Sequence, residues 1–172
     1  VSAVAQGYSV GRISQLLEQY GIQNYLVEIG GELKSNGHKP DGLPWRVAIE
    51  KPLPGERKVH KVITMPKDSP MSIMTSGTYR HFYELNGQRY SHILDARNGK
   101  PVTHDLVAVT VLHEDPTIAD AWSTTLLCLG PVDGMKIANS EKLNAIFIRL
   151  HGSELLETRS DVLKTTTLVS IQ

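Results

Sequence analysis

Residues 106–130, LVAVTVLHEDPTIADAWSTTLLCLG, contain a strand pattern followed directly by a helix-start signal. Leu106 to Leu112 alternates and is rich in β-branched residues, which favours a β-strand. The dipeptide Asp115-Pro116 is typical of the start of a helix. The sequence therefore predicts a helix from about Thr117 to Leu129, which Gly130 ends.

Similar patterns divide the rest of the chain into short elements. A helix is predicted over Val4–Tyr20, with Gly21 as its C-terminal cap. Its apolar stripe consists of Val10, Ile13, Leu16, Leu17 and Tyr20. Asn86-Gly87 predicts a type I′ hairpin between Phe82–Leu85 and Gln88–Ile93, because both turn residues tolerate positive φ. The other predicted elements are strands at Tyr25–Ile29, Glu32–Ser35, Trp45–Ile49, Val59–Met65, Ala145–Leu150, Leu155–Thr158 and Leu163–Ile171, a turn at Arg97–Gly99 and a short helix near Val132–Asn139.

The order of these elements is helix, strands, helices, strands. Because it lacks the strict alternation of a doubly wound sheet, the sequence predicts an α+β fold, with a mostly antiparallel sheet and helices packed against it. A chain of 172 residues with 40% apolar content is expected to form one globular unit.

Composition excludes several classes of function. Lys plus Arg equals Asp plus Glu at 18 each, so there is no broad basic surface for nucleic acid or an anionic membrane. No apolar run approaches the roughly 20 residues of a membrane span. The single cysteine, Cys128, lies in an apolar run and is interpreted as a buried, inert thiol. Because the chain starts at Val1 rather than Met, with a helical pattern almost at once, we expect upstream sequence to have been removed.

Asp120 and Thr124 are four residues apart in the predicted helix and therefore share one face, with Ser123 adjacent. Hard oxygen ligands of this kind suit magnesium, and the first turn of a helix favours a bound phosphate. The alternative is a solvated acid and a polar residue beside the core. The spacing alone leaves both interpretations open.

Three other segments carry candidate site residues. Glu32 follows Gly30 and Gly31 at the end of an apolar strand, where the backbone can approach a ligand closely. His92 lies at a strand end beside a turn and could accept a proton, since its ordinary pKa lies near neutrality; a strand-edge histidine facing water is the alternative. Ser76 is interpreted as part of a polar turn that donates to a ligand, because the motif of a serine hydrolase is absent. The seven histidines lack zinc-site spacing.

Six blocks of sequence together resemble the ApbE-type FAD:protein FMN transferases. The blocks are VAQGY (4–8), YLVEIGGE (25–32), PWR (44–46), TSGTYR (75–80), YSHILD (90–95) and ADAWST (119–124). The resemblance runs from Val1 to about Leu150. It implies that the chain, 1–172, is the C-terminal part of a single flavin-transferase domain whose N-terminal part is absent.

The resemblance also implies an activity and a compartment. The family transfers FMN from FAD to a threonine or serine hydroxyl of a target protein, such as a subunit of a membrane redox complex, with release of AMP at a Mg²⁺ site. The expected location is the bacterial periplasm, with membrane anchoring through a lipidated N-terminus missing from this chain. A non-catalytic FAD-binding or flavin-carrier module is the alternative function, and a structural subdomain without a ligand is a third.

Specific roles follow from matching the family's motif residue by residue. The metal ligands implied in this way are the backbone carbonyl of Ala3 and the residues Asp120, Ser123 and Thr124. Gln6 matches a position that contacts FAD, Leu94 one that meets the flavin through its backbone, and His92 the family's acid–base histidine. Glu32 and Ser76 are further candidates for the cleft.

The chain departs from the family at several positions. Ser123 replaces a more usual alanine or aspartate, Gln6 a lysine or glutamate, and Ala96 a proline. It is therefore open whether the Ser123 side chain or only its carbonyl reaches the metal.

Overall fold

The computed structural model of the protein describes residues 2–53, 58–78, 82–85 and 88–172, with the backbone alone described at residues 2, 82–85 and 88–90. The helices are α1 (Ala5–Gln19), α2 (Pro116–Ser140) and α3 (Asp161–Thr165). The strands are β1 (Tyr25–Ile29), β2 (Glu32–Asn36), β3 (Arg46–Glu50), β4 (Val59–Thr64), β5 (Met71–Gly77), β6 (Phe82–Leu85), β7 (Gln88–Ser91), β8 (Leu94–Asp95), β9 (Lys100–Pro101), β10 (Leu106–His113), β11 (Asn144–His151), β12 (Glu154–Arg159) and β13 (Ser170–Ile171).

A six-stranded sheet in the order β1-β2-β5-β10-β11-β12 forms the middle layer of the molecule. Every strand pair between the described residues is antiparallel. A three-stranded sheet, β13-β4-β3, and the hairpins β6-β7 and β8-β9 accompany it. The predicted α+β fold with a mostly antiparallel sheet is therefore confirmed.

Both faces of the large sheet are buried, which explains why β10 reads as an almost continuous apolar run. Val109 and Val111 belong to the core that includes α1 and α2 residues. Ala108 and Leu112, on the opposite face, belong to a core shared with the three-stranded sheet. The sheet consequently lies between a helical layer and a second β layer.

The ends of the two long helices follow the sequence signals. At the end of α1, Gly21 has a φ of +76° and its N–H donates to the Glu18 carbonyl, while Ile22 N–H donates to Leu17. This is a Schellman cap, as the glycine predicts. At the start of α2, the Asp115 carboxylate accepts from the N–H groups of the next turn. Gly130, with φ +83° and ψ −179°, interrupts α2 where the first predicted helix ends.

Three sequence interpretations differ from the structure. The segment containing Ser76 is not a turn but the end of β5, which lies between β2 and β10. In the predicted apolar stripe of the first helix, Val10 is buried but Leu16 and Tyr20 are exposed. The other buried residues of α1 are the small Gly7 and Ser14, so the helix packs through small side chains. The predicted last strand is replaced by α3 and the two-residue β13.

The hairpin prediction is confirmed as far as the structure describes it. β6 and β7 pair antiparallel, with Leu85 opposite Gln88. The predicted turn residues Asn86-Gly87, and Tyr79-Arg80 of the fourth sequence block, lie outside the described residues. Within the described ranges, no helix has the length and apolar character needed to cross a bilayer.

Candidate functional site

A cavity of about 540 Å³ opens beside the start of α1 and residues 120–128 of α2, at the edge formed by the β1–β2 turn, β3 and the end of β5. Eight of the nine site residues expected from the sequence line it: Ala3, Gln6, Glu32, Ser76, His92, Leu94, Asp120 and Thr124. The ninth, Ser123, is fully buried directly behind the cavity wall. The fold therefore brings together residues that lie as far apart in the chain as Ala3 and Thr124.

The Asp120 carboxylate is a buried charged group in the wall of this cavity. Its side chain lies in α2 and is only 5% exposed. The backbone N–H of Gly7 in α1 donates to its Oδ2 at 2.8 Å. Burial raises the pKa of Asp120 above its ordinary value, and the hydrogen bond from Gly7 opposes that change. No cationic side chain in the described part of the chain forms an ion pair with it.

Hydroxyl groups of α2 and β5 contact one another next to Asp120. Ser76 Oγ lies 2.8 Å from Ser123 Oγ and 2.9 Å from Thr124 Oγ1. Ser123 Oγ donates to the Asp120 backbone carbonyl at 2.9 Å. Ser76 thus contacts two neighbouring hydroxyls of α2 at once.

Glu32 forms the wall of the cavity between β2 and β5. It is 8% exposed, and its Oε2 accepts from the backbone N–H of Thr75 at 2.8 Å. The Thr75 hydroxyl in turn contacts that of Thr110 on β10. Glu32 therefore holds the end of β5, and with it Ser76, in place.

The backbone conformation at position 30 favours glycine, and the absence of a Cβ leaves room for the Gln6 side chain. The φ of Gly30 is +63°, a conformation that side chains disfavour. A Cβ there would also lie 2.5 Å from Nε2 of Gln6, the amide that reaches the Ile29 carbonyl at 3.5 Å. Gly30 consequently allows the Gln6 side chain to lie along the cavity edge.

His92, Leu94 and Cys128 also line the cavity. The turn after Leu94 is held by Asp95, whose carboxylate accepts from Arg97; this hydrogen bond lowers the pKa of Asp95 to about 2. The fixed turn positions the β8 backbone beside α2, where the Cys128 thiol lies 3.7 Å from the Leu94 carbonyl.

Cys128 is one of the cavity residues that the sequence interpretation missed. It is half-buried in the cavity wall rather than enclosed in the core, and burial raises the pKa of its thiol. The helical period carries the missing signal, since positions 120, 124 and 128 are four residues apart and so lie on one face.

The available donors fit a hard cation better than a zinc ion. Among the described residues there is no group of three or more His, Cys, Asp or Glu that could hold a metal. One buried carboxylate, the Thr124 hydroxyl and main-chain oxygen near Ala3 are ligands that Mg²⁺ accepts, with water or phosphate oxygens completing its octahedron. A bound cation would also compensate the buried charge of Asp120.

Comparisons with family models and with known proteins point to the same family. A family model described as the ApbE family matches residues 1–147. The chain is 43% identical over 152 residues to the FAD:protein FMN transferase of Escherichia coli K12, covering 88% of the chain and 42% of the relative. It is 39% identical over 165 residues to the Salmonella typhimurium protein of the same name, covering 96% and 46%. It therefore spans less than half the length of these curated relatives.

Two solved structures show the same fold. The apo form of Pseudomonas stutzeri flavinyl transferase ApbE aligns with a TM-score of 0.80 at 40% identity, covering 95% of the chain and 49% of that structure. The flavin transferase ApbE from Vibrio cholerae aligns with a TM-score of 0.81 at 36% identity, covering 95% and 50%.

Proposed function

Because the chain belongs to the ApbE family, we propose that it forms the cation-binding and flavin-binding site of a Mg²⁺-dependent FAD:protein FMN transferase. The observation that supports this function most directly is the placement of Asp120. A buried carboxylate without a cationic partner among the described residues lines a cavity that Thr124, Ala3 and His92 also line. Acceptor oxygens without a countercharge suit a divalent ion and its attached phosphates.

The proposed reaction exchanges one phosphate ester bond for another. The hydroxyl oxygen of a threonine or serine on the target protein attacks the FMN phosphorus of FAD. A new P–O bond forms there while the bond to the AMP oxygen breaks, and AMP leaves with that electron pair. The products are an FMN phosphoester on the target and free AMP.

The residues of the cavity divide this work between them. His92 accepts the proton of the incoming hydroxyl. Gln6 and the Leu94 backbone hold the flavin dinucleotide at the cavity edge, and Glu32 keeps the end of β5 in place. Asp120, Thr124 and the Ala3 carbonyl would hold Mg²⁺, which would supply positive charge to offset the negative charge that develops on the phosphate oxygens.

We further propose that the protein acts in the bacterial periplasm on a subunit of a membrane redox complex. This compartment and this acceptor follow from the family resemblance. Fractionation of the native cells should recover the protein with the periplasm and membranes, and recovery in the cytosol would reject this part.

The activity is tested with the complete polypeptide that carries this sequence. It is incubated with FAD, MgCl₂ and an unmodified acceptor protein, and mass spectrometry follows the covalent FMN on the acceptor while chromatography follows AMP. Asp120→Ala should lower the rate on the order of 100-fold, because it removes the charged ligand. Asp133→Ala removes an exposed carboxylate from the same helix and should leave the rate unchanged.

Two results would reject the proposal. Flavin transfer that persists in Asp120→Ala would remove the assignment of the cation site. Stoichiometric FAD binding without AMP under any Mg²⁺ concentration would instead identify a flavin-binding module without transferase activity.

A further inference from the structure

Three hydroxyl groups connect β5 to α2 beside Asp120. Ser76 Oγ contacts both Ser123 Oγ and Thr124 Oγ1, and Ser123 Oγ contacts the Asp120 carbonyl. These contacts form one continuous chain. Thr124, which lines the cavity, is at one end, and a backbone carbonyl is at the other.

The donor in each contact follows from the number of protons. A hydroxyl donates one proton, whereas a carbonyl oxygen only accepts. Ser123 therefore gives its proton to the Asp120 carbonyl, so Ser76 must donate to Ser123. Thr124 must then donate to Ser76. All three contacts can form only in this direction. The other direction would leave a buried hydroxyl without a partner, which costs free energy.

This direction determines what Thr124 presents to the cavity. Its proton points toward β5, so the lone pairs of Oγ1 remain available to a ligand. The reverse direction would turn the proton toward the cavity, where it would repel a cation. Ser123 cannot contribute in the same way, because its side chain is fully buried.

Building on the proposed function, we infer that Ser76 and Ser123 are positioning residues of the cation site. Their hydroxyls hold the Thr124 proton away from the cavity, and the Ser123 side chain does not itself bind the cation. Position 123 thus supports a neighbouring ligand through the hydroxyl chain.

The inference is tested by Mg²⁺ affinity, which is obtained from the dependence of the melting temperature on MgCl₂ concentration at saturating FAD, because the stability gained on binding at a free Mg²⁺ concentration c is RT ln(1 + c/Kd). Ser76→Ala removes the acceptor of the Thr124 proton. Ser123→Ala frees Ser76 to donate to Thr124 instead, which reverses the direction. Each should weaken Mg²⁺ binding about three- to tenfold, the effect of one hydrogen bond. The double variant should bind no more weakly than Ser76→Ala, because the chain acts as a unit.

Matched variants separate this role from a structural one. Thr125→Ala removes an exposed hydroxyl of the same helix, which donates to the Ala121 carbonyl, and should leave Mg²⁺ affinity unchanged. Ser76→Thr and Ser76→Val have similar shapes but differ in the hydroxyl, so only the valine variant should lose affinity. This pair keeps the test decisive if Ser76→Ala does not fold.

Several outcomes would overturn the inference. They are unchanged Mg²⁺ affinity in both serine-to-alanine variants, equal affinity of the Thr and Val variants, additive losses in the double variant, or no Mg²⁺-dependent rise in the unaltered protein. The melting experiment contains no acceptor protein, so its result does not depend on FMN transfer. Absence of FMN transfer would therefore reject the proposed function separately, while the affinities decide the role of the two serines.

Discussion

Gly7 of α1 and Asp120 of α2 meet at a helix–helix contact that leaves no room for a side chain. The Gly7 N–H donates to Asp120 Oδ2 at 2.8 Å. A Cβ on Gly7 would lie 2.3 Å from the Pro116 carbonyl oxygen and 2.7 Å from the Asp120 Cβ. The position of the carboxylate therefore depends on the absence of a single methyl group 113 residues earlier in the chain.

Gly7→Ala should destabilise the protein and weaken Mg²⁺ binding together. The new methyl meets backbone, which cannot rotate away, so the helices must separate, at a cost of about 1–3 kcal/mol in unfolding free energy. Urea unfolding and Mg²⁺ titration measure the two effects. Gly11→Ala is the control: its Cβ would lie 3.2 Å from the Pro116 ring, and the better helix propensity of alanine offsets that contact. Equal behaviour of the two variants would contradict this account of the contact.

Asp120→Asn should have opposite effects on stability without and with Mg²⁺. Without metal, the variant should melt a few degrees higher at neutral pH, because it no longer buries a charge and can still accept from Gly7. With Mg²⁺ and FAD, only the unaltered protein should gain stability by binding. Thermal melts under both conditions test this, with the exposed Asp133→Asn as control. If the variant melts at a lower temperature without metal, the negative charge of Asp120 is already stabilised by other groups of the protein.

Glu157 should contribute stability that is lost in acid. Burial opposes its ionisation, but hydrogen bonds from Arg159 and His60 and the charge of Lys61 keep its pKa below the ordinary 4.5. Its contribution is therefore present above pH 4.5 and disappears as the pH falls through the lower native pKa. Glu157→Gln should cost about 1 kcal/mol at pH 7, and the difference from the unaltered protein should shrink below pH 4.5. Urea unfolding across pH measures it, with the exposed Glu154→Gln as control; a difference independent of pH would count against this ion pair.

FAD should protect Cys128 from alkylation. The thiol lines the cavity, and burial raises its pKa above 9.0, with the charge of Asp95 raising it further and that of Arg97 opposing. Because the thiolate is the reacting form, iodoacetamide should react slowly at pH 8 and faster as the pH rises above 9. Saturating FAD should slow the reaction several-fold, while urea-unfolded chain should react faster than either. The chain contains one cysteine, so its mass gives the extent of reaction directly. A rate unaffected by FAD would place the flavin elsewhere.

Local signals predicted most of the fold. The cap of α1 at Gly21, the start of α2 at Asp115 and its interruption at Gly130 each depend on a few adjacent residues, and all three are present in the structure. β5 was missed as a strand because Thr75 and Ser76 are polar. Their polarity has a physical reason, since these residues line the cavity near the end of the strand.

The site was predictable only in part. The spacing of Asp120 and Thr124 fixes their common helix face, and the family resemblance supplied Ala3. The contacts of Asp120 with Gly7 and of Thr124 with Ser76 join distant segments, and no local pattern encodes them. The exposure of Cys128 likewise depends on how the β8 turn packs against α2.

The long separation between Gly7 and Asp120 also sets when the site can exist during biosynthesis. A chain emerging from the ribosome has completed α1 well before α2 is synthesised, so the carboxylate meets its backbone donor only after more than 100 further residues have emerged. The proposed cation site therefore cannot form until both long helices have been synthesised and have packed against each other.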